Sequence, residues 1–94
     1  MTHIDYRFSV TVHTDDLPML YCIRGLSHFA QKKGLINITW SGTGKEEWES
    51  SGHVVTFRFT RPAFRSDFLR EAHRLLPSGW REVKQSDNDP AKPK

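Results

Sequence analysis

A chain of 94 residues, 36% of them hydrophobic and 27% charged, has the size and composition of one globular domain, too short for two cores and too apolar for a disordered chain. Its longest apolar run, Met19 to Ile23, is far short of the roughly 18 residues of a spanning helix. A single cysteine, Cys22, excludes an internal disulfide and a paired-cysteine metal site, and a net charge of +3 excludes the strongly acidic surface that mimicry of DNA requires.

The opening MTHIDYRF lacks the basic, apolar and small-residue regions of a signal peptide, so a cytoplasmic location without membrane contact is expected. From Ile4 to His13 the chain reads IDYRFSVTVH. Ile4, Tyr6, Phe8, Val10 and Val12 alternate with polar residues, which predicts a strand with all five apolar side chains on one face. Thr14, Asp15 or Asp16 caps the helix that follows, and Pro18 is tolerated in its first turn. Met19, Cys22, Ile23, Leu26, Phe29 and Ala30 recur at three- and four-residue steps and form its predicted buried stripe, with Cys22 as a small core residue. Lys32 and Lys33 suit its C-terminal end, and Gly34 a left-handed stop. Gly25 lies inside this helix at a cost of about 1 kcal/mol relative to Ala. Close approach by the neighbouring helix is the reason read for it.

Ile36, Ile38 and Trp40 alternate as a second strand. In the third, HVVTFRFT, Val55, Phe57 and Phe59 face the core. Pro62 opens a second helix whose predicted stripe is Phe64, Phe68, Leu69, Ala72, Leu75 and Leu76, ended by Pro77 and Gly79. GWREVKQ, Gly79 to Gln85, reads as a short fourth strand, and residues 86–94 as a polar, flexible tail. The order strand, helix, strand, strand, helix, strand resembles the ferredoxin-like α/β plait (βαββαβ), an α+β fold. That topology implies a four-stranded antiparallel sheet of order 4-1-3-2 with both helices on one face. One such domain is expected over residues 1–85. The resemblance is of topology alone, and a fold of this kind hosts many functions.

The segment SGTGKEEWESSG, Ser41 to Gly52, sets Trp48 among three glutamates. One reading extends strands two and three into a long hairpin turning at Gly44, with Trp40 opposite Trp48 and a bulge at Ser51-Gly52. The other holds Trp48 out on the arm as an anchor for a partner. The sequence leaves both open.

No catalytic constellation has adequate spacing, so a non-enzymatic protein is expected. SGTGK lacks the length and the following helix of a phosphate loop. Acylphosphatases share the plait, but their activity depends on an arginine in a glycine-rich turn after strand one and on an asparagine. HTDDLP supplies neither the glycine nor the arginine. Plait-fold nucleases of CRISPR adaptation use an aspartate near the end of strand one; Asp15 and Asp16 sit there but read as helix caps. His13 and His53 come to one end of the predicted sheet without a third ligand beyond Asp15 and Asp16, and neither metal nor cofactor is assigned.

What remains is binding. Residues 52–86 hold seven of the basic side chains, six of them arginine, against three acids. The predicted open sheet face carries Arg7, Ser9, Thr11, Asn37, Thr39, Thr56, Arg58 and Thr60, and Arg61, Arg65, Arg81 and Lys84 extend it as a candidate phosphate patch. RNA-recognition domains of the plait fold stack bases on aromatics of this face, whereas Tyr6, Phe8, Phe57 and Phe59 have the opposite parity here. Asp67 to Arg70 and Glu71 to Arg74 are spaced to pair along the second helix. The leading expectation is therefore a protein partner or self-association as a homodimer, through the open face (Arg7, Thr11, Thr39, Thr56, Arg58) and the Trp48 arm, with Val54 and Trp80 adding apolar area. Nucleic-acid binding through the arginine-rich half is the alternative.

Overall fold

The computed structural model describes residues 5–31 and 45–90. Along the chain these form β1 (Phe8–His13), α1 (Leu17–Gln31), α2 (Lys45–Ser50), β2 (Val54–Phe59), α3 (Pro62–Leu75) and β3 (Arg81–Ser86). The strands make a three-stranded antiparallel sheet of order β2-β1-β3, so the domain is of mixed α+β class. The second predicted strand, with Asn37 and Thr39, lies outside the described residues, and the described sheet has three strands rather than four.

β1 is central, and its alternation sets the layers. Against β2 the register runs from Phe8 opposite Phe59 to His13 opposite Val54. Against β3, Ser9 lies opposite Ser86, Thr11 opposite Lys84 and Val12 opposite Glu82, so a bulge leaves Val83 without a partner on β1. Val10, Val12, Val55, Phe57 and Phe59 are buried on one face. There Phe68 of α3 meets them, its ring 5.4 Å from both Phe57 and Phe59. Leu20 and Ile23 of α1 and Ala72 of α3 complete the buried layer. Tyr6 is fully buried as the alternation predicts, while Phe8, near the end of the sheet, is half-buried.

α3 follows its sequence closely. Pro62 stands in the first turn, Phe68 and Ala72 are buried, and Phe64, Leu69 and Leu76 pack on the core edge. The correction is Leu75, which is half exposed. α1 departs further. Its buried residues are Leu20, Ile23, Ser27 and Ala30, while Cys22 is exposed and Phe29 is 78% exposed. The buried stripe is thus turned away from Cys22 and Phe29. Nor does a described neighbour crowd Gly25: a Cβ placed there meets nothing within 4 Å. The close helix approach expected at Gly25 is absent within the described chain.

The segment expected to be a hairpin arm is instead the helix α2. Glu46 and Glu47 sit in its first turn, where the helix dipole favours acids, and Lys45 reaches Glu49 one turn on at 4.0 Å. The extended pairing of Trp48 with Trp40 is therefore overturned. The segment read as a flexible tail is also tied down over its first residues. Asp87 and Asp89 fold back onto Arg65 and Arg58. No helix among the described residues is long and apolar enough to cross a membrane.

Candidate binding face

The helices occupy the aromatic face of the sheet, and among the described residues none covers the other. The register arranges that second face in three rows: Arg58, Ser9 and Ser86; Thr56, Thr11 and Lys84; Val54, His13 and Arg81. Along the middle strand the floor is low. Ser9 and Thr11 are buried although they face away from the core. The Thr11 and Thr56 hydroxyls share a hydrogen bond of 2.7 Å. Such a floor offers few free polar groups; the flanks carry the chemistry.

The flanks differ in how their cations are paired. Arg58 is committed: its Nε donates to the Asp89 carbonyl at 2.9 Å, and its Nη2 pairs with the Asp89 carboxylate at 3.2 Å. The Asp89 N–H in turn donates to the carbonyl of Arg7 at 2.8 Å, which pins the segment across the sheet end. Arg81 and Lys84 stand exposed on β3, and no described carboxylate pairs with them.

The proposed phosphate patch divides in the same way. Arg61 is exposed at the N-cap of α3. Arg65 is not a surface cation at all. It is buried, and its guanidinium donates to the carbonyls of Ser9 at 3.2 Å and Ser86 at 2.8 Å and to the Asp87 carboxylate at 2.7 Å. Arginine is rarely buried unless paired, and here it clamps α3 to both β1 and the end of β3. Arg65 therefore leaves the candidate ligand set. The pairs read along α3 form, Arg70 to Asp67 at 2.8 Å and Arg74 to Glu71 at 2.6 Å, so those arginines are partly neutralised in place.

At the far end of the sheet, Thr14 is a fully enclosed junction. Its carbonyl accepts the Trp48 indole N–H at 2.6 Å, and its own N–H donates to the His53 carbonyl at 3.1 Å. Its hydroxyl donates to the Gly79 carbonyl at 2.8 Å. The Trp48 ring is met edge-on by His53 at 4.7 Å, and His53 holds a positive φ of 65° just after Gly52. Trp48 is only 4% exposed, so it is tucked onto its own fold and is not an anchor held out for a partner. Trp80 likewise turns inward, donating to the Leu76 carbonyl at 2.6 Å and stacking near His73. Val54, beside His13, is half-buried.

His13 and His53 do lie at the same sheet end, as topology predicts, but His53 is engaged by Trp48 and Asp15 is exposed. Asp16 acts as a cap, its carboxylate accepting the Met19 N–H at 3.2 Å. Among the described residues no group of three or more His, Cys, Asp or Glu is placed to hold a metal ion. Compared with known proteins, the chain matches no protein-family model, no curated protein and no solved structure.

Proposed function

We propose that the chain is a non-enzymatic binding module whose uncovered sheet face receives an acidic surface of a protein partner. The observation that supports this most is the asymmetry of that face: a low hydroxyl-lined floor, with Arg81 and Lys84 exposed on one flank and unpaired by any described carboxylate. Cations of one sign beside a flat floor complement an acidic partner and penalise a second copy of the same face. The four-stranded ferredoxin-like plait, whose topology sets a further strand beside β2, remains part of the same reading.

Phosphate groups of a nucleic acid are the second reading, favoured by the exposure of Arg61 together with Arg81 and Lys84. Against it, Tyr6, Phe57 and Phe59 are fully buried and supply no stacking platform. The test is fluorescence anisotropy with a labelled Asp/Glu-rich peptide and with single- and double-stranded oligonucleotides, from low to physiological salt, beside an R81A/K84A variant. Peptide binding that the variant loses supports the protein reading. Oligonucleotide binding with a steep salt dependence, and none of the peptide, replaces it with the nucleic-acid reading. Silence of all three probes at low salt removes the face as a site for anions.

A further inference from the structure

We propose that the segment after β3 is an internal acidic occupant of the sheet face, held on Arg58 through Asp89 until the acidic surface of a partner displaces it. This assignment rests on the sheet face receiving an acidic partner, and it adds Arg58 to Arg81 and Lys84 as a cation that meets that partner.

Two arginine–aspartate pairs tie the segment down, and they differ in kind. Arg65 has 10% of its side chain exposed and donates to two backbone carbonyls besides Asp87, so it serves the fold. Arg58 stands on the face opposite the helices, in the row of Ser9 and Ser86. Its pair is partly open to water, with 22% of the arginine and 38% of the aspartate side chain exposed. Asp89 offers this guanidinium a carboxylate at 3.2 Å from Nη2 and a carbonyl at 2.9 Å from Nε. Oxygens from an acidic partner make the same charge-assisted hydrogen bonds, so the exchange leaves no donor unsatisfied.

The fastening at Arg58 is of the kind that opens. No described residue after Trp80 joins the hydrophobic core, and Asp89 is held by its contacts with Arg58 and by its N–H on the Arg7 carbonyl at 2.8 Å. Segments held by partly exposed polar contacts open at much lower free energy than packed ones. Asp87 stays on the buried Arg65, so the part that lifts begins at Asn88. So short a tether keeps the Asp89 carboxylate at an effective concentration of about millimolar or more. A lone acid in solution does not compete with that. An acidic surface does, because it engages Arg81 and Lys84 on the same face at the same time. The occupant thus makes the face select clustered acids over single ones.

The test is fluorescence anisotropy of the full chain at low salt with a labelled Asp/Glu-rich peptide and a labelled single-stranded oligonucleotide, with thermal melts to confirm folding. D89A should tighten peptide binding about fivefold, the equivalent of a partly exposed ion pair. D89N, which keeps the shape without the charge, should do the same. In an R58A background the D89A change should give less than about twofold, the share left to the general field of one removed acid. Equal gains in both backgrounds overturn the proposal, because net charge then accounts for them. Wild-type peptide binding that D89A and D89N leave unchanged also overturns it, while the sheet face stands as an acid-binding surface. A gain confined to the oligonucleotide overturns the acidic partner as the displacing ligand. No peptide binding by any variant overturns both this proposal and the sheet-face reading beneath it.

Discussion

α1 and α3 lie side by side on one sheet and share one core, yet they meet water in opposite ways. α3 turns Asp67, Arg70, Glu71 and Arg74 outward as two ion pairs one turn apart. α1 turns out the aromatic rings of Tyr21 and Phe29, and Arg24 is its one formally charged residue. The inner faces answer the same demand, to fill the space above Phe57 and Phe59, and are accordingly alike in chemistry. The outer faces are under no such common demand, so the difference between the helices lies in chemistry that the core does not dictate.

Two phenylalanines give the largest contrast. Phe68→Ala on the inner face of α3 should cost about 3–5 kcal/mol, since the rings of Phe57 and Phe59 lose their common neighbour. Phe29→Ala on the outer face of α1 should leave monomer stability within about 0.5 kcal/mol. Urea denaturation of both variants at low protein concentration makes the comparison, and similar costs would break it. Next in size is Arg65→Met. It removes the clamp from α3 to Ser9, Ser86 and Asp87 and should cost about 1–3 kcal/mol, with earlier amide exchange at the end of β3. Unchanged exchange there would show that the inner face of α3 holds by apolar packing alone. Smallest is Arg74→Ala, worth a few tenths of a kcal/mol, about 0.3–0.5, at low ionic strength and nothing in high salt. A larger cost, or one that salt leaves untouched, would mean that the outer pairs of α3 do more than keep it soluble.

The same contrast explains which parts of the structure could be read from the sequence. β1 alternates strictly, and β2 does so from Val55 onward, because one of their faces is aromatic or branched and the other polar, and a period of two survives any detail of packing. α3 alternates sharply between apolar and charged, so its ion pairs and its stripe, apart from Leu75, were legible. α1 offered no such contrast. With apolar residues all round, several stripes fit equally well, and the predicted one holds at Met19, Ile23, Leu26 and Ala30 but takes in the exposed Cys22 and Phe29 and omits the buried Leu20 and Ser27. α2 was missed although Glu46 and Glu47 in its first turn and the Lys45–Glu49 spacing were in view; the flanking Gly and Ser residues pointed to a turn. Of the candidate face, the polar rows of β1 and β2 were readable from parity. The commitment of Arg58 to Asp89 and the burial of Arg65 were not. Both depend on acids from a segment whose composition gives no sign of where it docks.

The central position of β1 has a consequence for how the chain acquires its structure. Ser9 must find Arg58 on one side and Ser86 on the other. Neither pairing is local, and the second spans most of the chain. Closing such long loops costs entropy before any contact repays it, so folding is expected in milliseconds to seconds rather than microseconds. During synthesis the first strand made has only one of its described neighbours until residue 86 has been added. Until then Val10, Val12 and the aromatic residues of β2 are apolar surfaces on an unfinished sheet. For that interval the growing chain is exposed to aggregation and is a natural client for chaperones.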